Sequence, residues 1–120
     1  MLKKIFTYTD YNGVERTETH YFNLSKAELV DMEATTPGSL SEKLKRIVDG
    51  ADGPEIMKFF KELIFKSYGI KSDDGRRFIK SAEISEAFSQ TEAYVQLYME
   101  LVTNPEAAAD FANGIIPKID

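Results

Sequence analysis

The residues of this sequence best placed to do chemistry lie in one stretch, "SYGIKSDDGRRFIKS", residues 67–81. Two adjacent acids (Asp73, Asp74) and a glycine precede Arg76, Arg77 and Lys80, with Phe78 and Ile79 between the cations. Acids beside a glycine suggest a calcium loop, cations beside a glycine a phosphate cradle, and cations with an aromatic a nucleic-acid contact. Aligning an EF-hand on Gly75 puts Ile70 at the first ligand position and Ser81 at the twelfth, where a bidentate glutamate is needed. One glycine before two arginines is not the GxxxxGK[ST] of a phosphate loop. Three cations and one aromatic are few for binding a polyanion. The simplest reading is a turn at Asp73–Gly75 from which "RRFIKS" leaves extended. We expect a connection that doubles as a recognition element, with Arg76, Arg77, Phe78, Lys80 and Tyr68 as partner-binding residues, since arginine and aromatics are enriched at interface hot spots. The alternative is that Phe78 plugs the core and the arginines are merely solvated.

Elsewhere the chemistry is sparse. His20 is the only histidine, on an expected strand with no partner at a spacing that would make a base, a triad or a zinc site, and it reads as solvent-facing. Cysteine is absent, which removes disulfides, thiolate metal sites and a thiol nucleophile. No catalytic residue, metal ligand or cofactor site is assigned, and we expect a protein that is not an enzyme.

The 120 residues suit one domain, residues 1–120, and 42% hydrophobic with 29% charged residues is an ordinary globular composition. The N-terminus lacks the apolar run of a signal peptide and no segment is long enough to span a bilayer, so we expect a soluble intracellular protein with no membrane partner. A net charge of −5 argues against nucleic acid. The charge is uneven. Residues 58–80 hold seven basic and three acidic residues, whereas residues 81–117 hold six acids and no Lys or Arg. Such complementary segments suit head-to-tail self-association or docking on a partner, or they neutralise each other within one subunit.

The elements that must position these residues are legible. Residues 3–23 are rich in Thr, Tyr and Phe around Asn12-Gly13, the signature of a β-hairpin with a two-residue loop. That loop would pair Tyr8 with Thr17 and Phe6 with Thr19, placing Phe6, Tyr8 and Tyr21 on one face. Helix signals fill residues 25–114. Ser25 and Glu28 form a capping box with Leu24 set to staple onto Leu29, and Ser39 and Glu42 repeat the box before the stripe Leu40, Leu44, Ile47 and Val48. Asp52 is placed to cap the central helix 54–68, whose apolar face is Ile56, Phe59, Phe60, Leu63 and Ile64, ending at Gly69. Phe59, Phe60 and Phe65 cannot all share one narrow helical face, so some of the set Phe59, Phe60, Phe65 and Tyr68 must lie outside. Ser81, Thr91 and Asn104-Pro105 open three further helices. The expected fold is α+β, mainly helical: an N-terminal hairpin packed on about five helices.

The segments "TYTDYNGVERTE", "YFNLSKAEL", "SYGIKSDDGRRFIKS" and "FSQTEAYVQLYMEL", in this order over nearly the whole chain, resemble small proteins of the tail-morphogenesis region of long-tailed bacteriophages, the tail assembly chaperones. The resemblance implies a non-enzymatic protein that coats the tape measure protein and helps recruit tail tube proteins in the host bacterial cytoplasm, and is absent from the mature virion. It implies no active site and no cofactor. Family members are often made in a short and a frameshift-extended form, and this chain resembles the short one. Relatives are largely helical, so the hairpin is a departure or an addition. A minor structural virion protein, or a small phage-encoded inhibitor of a host enzyme or defence complex, would fit the same composition.

Overall fold

The structure is a computed structural model that describes residues 1–35, 39–50 and 53–117. Among the described residues the order is β1 (Leu2–Thr9), β2 (Glu15–Phe22), α1 (Lys26–Thr35), α2 (Ser39–Val48), α3 (Pro54–Ser67), β3 (Tyr68–Lys71), β4 (Phe78–Ile79), α4 (Ala82–Ser89), α5 (Glu92–Thr103) and α6 (Pro105–Ile115). The α+β class holds, with the hairpin extended into a four-stranded antiparallel sheet in the order β1-β2-β3-β4. Among the described residues six helices stand where about five were expected, which agrees with the mainly helical class. Strand β4 lies in the "RRFIKS" stretch expected to run extended, whereas β3, four residues long, carries too little alternation to register as a strand.

The hairpin register differs from expectation by one residue. Tyr8 pairs with Arg16, Thr7 with Thr17 and Phe6 with Glu18. A type I′ loop needs positive φ at both Asn12 and Gly13, but only Gly13 has it, at 80°. Asp10 decides the matter. Its backbone N–H donates to Val14 O at 2.8 Å and its carbonyl accepts from Gly13 N at 2.9 Å. Its carboxylate accepts from Asn12 N, Val14 N and Arg16 Nε at 2.9, 3.0 and 2.6 Å. The result is a three-residue loop, Tyr11 to Gly13, that the two-residue reading could not anticipate.

A one-residue slip turns every side chain of one strand to the other face. Phe22, not Tyr21, therefore shares the inner face with Phe6 and Tyr8, and Tyr21 joins Ile5 outside. His20 turns inward with Phe22, which corrects the solvent-facing reading.

The capping signals perform as read. Ser25 Oγ accepts from Glu28 N at 3.1 Å while Glu28 Oε1 accepts from Ser25 N at 2.9 Å, the reciprocal pair of a capping box. Ser81, Thr91 and Asn104 cap α4, α5 and α6 through their side chains, with Pro105 in the first turn of α6. The proposed caps Ser39 and Asp52, and Leu40 and Val48 in the α2 stripe, lie outside the described side chains.

Helix α3 is central. Ile56, Phe59, Phe60, Leu63 and Ile64 are all buried, whereas Phe65 stays 38% exposed. They belong to one contiguous core with Phe6 and Phe22 of the hairpin, Ile47 of α2, Phe88 of α4, Leu97 of α5 and Phe111 of α6. Phe22 is fully buried and joins the layers, its ring lying 5.5, 5.8 and 5.4 Å from those of Tyr68, Phe88 and Phe111. Among the described residues no helix is long and apolar enough to cross a membrane.

Candidate interaction surfaces

The 67–81 stretch divides into a framework part and a presented part. Ser72 N donates to Arg77 O and Gly75 N to Ser72 O, both at 2.9 Å, closing a turn in which Gly75 takes φ 75°. Asp74 Oδ1 accepts from Ser72 Oγ at 2.7 Å and from Arg76 N at 3.0 Å. Those bonds, the one from Arg76 N foremost, hold its carboxyl below the usual range. The acid is thus occupied in fixing its own loop. Among the described residues no group of three or more His, Cys, Asp or Glu is placed to hold a metal ion.

Of the five expected recognition residues, Arg77, Phe78 and Lys80 line one recess of about 440 Å³ with Asn23, Ser25 and Glu28, and the five differ in exposure. Tyr68 is buried, its ring stacked on Phe88 at 4.1 Å between centroids, and its hydroxyl lies 3.0 Å from His20 Nδ1. Burial raises its pKa. Lys80 folds back: its ammonium donates to Asn23 O at 2.6 Å, to Lys66 O at 2.8 Å and to both oxygens of Glu28 at 2.8 and 2.7 Å. It ties the end of β2, the end of α3 and the start of α1 to β4. Burial pushes the Glu28 carboxyl up, but the bonds from Lys80 and Ser25, with the charge of Lys80, outweigh it and leave the group below the usual carboxylate range. Phe78 is half-buried and lies across Gly69, where a Cβ would come within 2.7 Å of the ring. Only a glycine lets Phe78 sit there. Arg76 and Arg77 are exposed and, among the described residues, pair with no acid. The presented part is therefore Arg76, Arg77 and one side of Phe78.

His20 takes part in a polar network set into the aromatic core. Its Nε2 lies 3.3 Å from Glu18 Oε1, which also accepts from Tyr8 Oη at 2.6 Å. That bond is the main reason the Glu18 carboxyl is lowered and the Tyr8 phenol is pushed up to about 12. Rings of Phe6, Tyr68 and Phe88 surround the imidazole at 5.6, 5.7 and 4.9 Å. The network runs from the aromatic core out to the surface: the His20 side chain keeps 18% of its accessible surface and that of Glu18 36%.

Sequence reasoning missed an open apolar surface. Two adjoining grooves run along the outer side of α3 and share Phe65 and Lys66. One, about 490 Å³, lies against Met32 of α1 and Ala82 and Ser85 of α4. The other, about 570 Å³, is lined by Phe65 and Tyr94 with Lys58, Lys61, Lys66 and the acid Glu62. Phe65 and Tyr94 meet edge to face at 6.3 Å, which holds the exposed ring in place. The available signal was Phe65 itself, the one α3 phenylalanine off the core face. Among the described residues no ion pair joins the basic 58–80 segment to the acid-only 81–117 segment, and Glu62 is the acid that lines the second groove with these lysines.

No curated protein and no solved structure is significantly similar to this chain. A comparison with protein families matches residues 1–119 to the family described as phage tail assembly chaperone. With that match spanning almost every residue, the chain belongs to the phage tail assembly chaperone family.

Proposed function

We propose that this chain, in the host cytoplasm, binds the tape measure protein through the α3 grooves and helps recruit tail tube proteins, without catalysis and without remaining in the virion. Family membership over residues 1–119 supports the assembly role. The observation that carries the site is the apolar, lysine-lined groove centred on Phe65. Such a groove suits an amphipathic helix that lays an apolar stripe on Phe65 and Tyr94 and acids against Lys58, Lys61 and Lys66. Arg76, Arg77 and the open side of Phe78 form a second, smaller contact for the same partner or for a tube subunit.

Purified tape measure fragments titrated against surface variants test the assignment. Phe65→Glu is expected to weaken binding by roughly tenfold or more, as loss of an interface anchor does, and Arg76→Ala with Arg77→Ala by a few-fold. Phe65 is exposed, so the fold should survive its replacement. Binding unchanged by Phe65→Glu would remove the groove from the account. Mass spectrometry of purified virions separates this reading from that of a minor structural protein, because a chaperone should be missing from the particles.

A further inference from the structure

We infer that the outer edge of β1 pairs with the same edge of a second copy, joining two four-stranded sheets in a closed antiparallel dimer. The inference begins with the hydrogen-bond alternation of the hairpin. Asp10 N donates to Val14 O, so Asp10 and Val14 face each other across a closely bonded pair. Counting back by twos along the register, the even residues of β1 turn their N–H and C=O toward β2. The far side of β2 agrees, since Asn23, an odd residue, donates to Ser67 O on the β3 side. Lys3, Ile5, Thr7 and Thr9 must therefore turn their main-chain groups outward, along the free edge of the sheet.

Exposed edges in natural sheets are blunted by short strands, prolines, bulges, flanking charges or covering segments. The opposite edge, β4, obeys this: it is two residues long and flanked by Arg76, Arg77 and Lys80. The β1 edge does not. It runs eight residues without proline, glycine or bulge, and its only charges are Lys3 and Lys4 near one end. Ile5, 64% exposed, stands on the outer face at its middle. Helix α5 packs beside β1, with Glu100 on the Lys4 ammonium at 3.2 Å, and its Gln96 Nε2 meets the outward Thr7 O at 3.5 Å, the limit of a hydrogen bond. Gln96 is itself exposed and free to turn away.

Register selects a second copy and the antiparallel sense. A two-fold axis at Ile5 sets Ile5 on its twin and Lys3 opposite Thr7, so no like charges meet and about six main-chain bonds form. Parallel pairing would stack Lys3 on Lys3 and Lys4 on Lys4, which is unfavourable. In the antiparallel pair the two Ile5 Cα atoms lie about 5.5 Å apart, within the range a disulfide bridges.

The absence of native cysteine makes the test direct. Sedimentation of the full chain should show a dimer that persists in 0.5 M salt, where exposed charges are screened beyond about 4 Å, because main-chain pairing does not rest on charge. Ile5→Lys places two cations face to face and should yield a monomer with unchanged circular dichroism. Under mild oxidation Ile5→Cys should link into covalent dimers roughly tenfold faster than Thr19→Cys, which sits beside Ile5 on the same outer face but one strand in from the edge. A wild-type chain that stays monomeric up to millimolar concentration would overturn the inference. So would a dimer indifferent to Ile5→Lys, or equal cross-linking rates at the two cysteines. A monomer whose Ile5→Lys variant loses its tail-protein partner would assign the edge to that partner instead, against the proposal.

Discussion

Replacing Phe22 by Ala is expected to cost about 3–5 kcal/mol of folding stability, the usual range for removing a fully buried phenylalanine. The size follows from position. Phe22 closes the last pair of the hairpin, opposite Leu2, and lies next to the strand that follows α3, opposite Tyr68. Its ring meets three other aromatics edge-on or tilted, from β3, α4 and α6, so one truncation opens a void where sheet and helices join. The edge-to-face contacts add to the area term and go with it. Urea unfolding with and without the substitution measures the effect. A loss under about 1 kcal/mol would mean that hairpin and helices are not joined through this residue.

Replacing Lys80 by Met should cost about 2–3 kcal/mol, since the change keeps the stem but strands Glu28 and the carbonyls of Asn23 and Lys66. The side chain of Lys80 retains 21% of its accessible surface and that of Glu28 38%, so the loss should stay below that of a fully buried ion pair. Adding Glu28→Gln to Lys80→Met should recover part of it, because the stranded charge is then gone; strict additivity of the two changes would show that they do not interact. The same pair sets a pH dependence. Glu18 and Glu28 have folded pKa values below their unfolded ones, so their contribution is present above the ordinary carboxylate pKa of about 4.3 and is lost as pH falls through the folded values. At the alkaline end Tyr8 acts oppositely: its raised pKa adds stability below pH 10 that disappears as pH approaches about 12. Melting temperature should therefore fall toward pH 3, and in Lys80→Met the acid-side loss should shrink.

The sequence carried the helices and their starts because those signals are local. A capping serine or threonine works through bonds within four residues, and the apolar stripe of α3 repeats within one helix. What it did not carry was relational. The hairpin register turned on three bonds to the Asp10 carboxylate, one of them from Arg16 beyond the loop. Once the register slipped, His20 moved from solvent to core. Lys80 looked like a presented cation because its partners, Asn23, Glu28 and Lys66, are 57, 52 and 14 residues away. Tyr68 was drawn inward by Phe88, again a tertiary contact. Arg76 and Arg77 stayed exposed, as local turn chemistry requires. The α3 grooves could not be read as grooves, since their walls come from α1, α4 and α5; helical spacing showed that Phe59, Phe60 and Phe65 cannot all share the core face, and the structure identifies Phe65 as the exposed one.

Co-expression of this chain with the tape measure protein of the same phage tests the central claim most directly. Alone, a long tape measure chain should be recovered largely in the insoluble fraction. With this protein present it should become soluble and co-purify with several copies of the small chain per tape measure molecule, and Phe65→Glu should return it to the pellet. A tape measure protein that is equally soluble without the small chain, and that carries none of it through purification, would contradict the account.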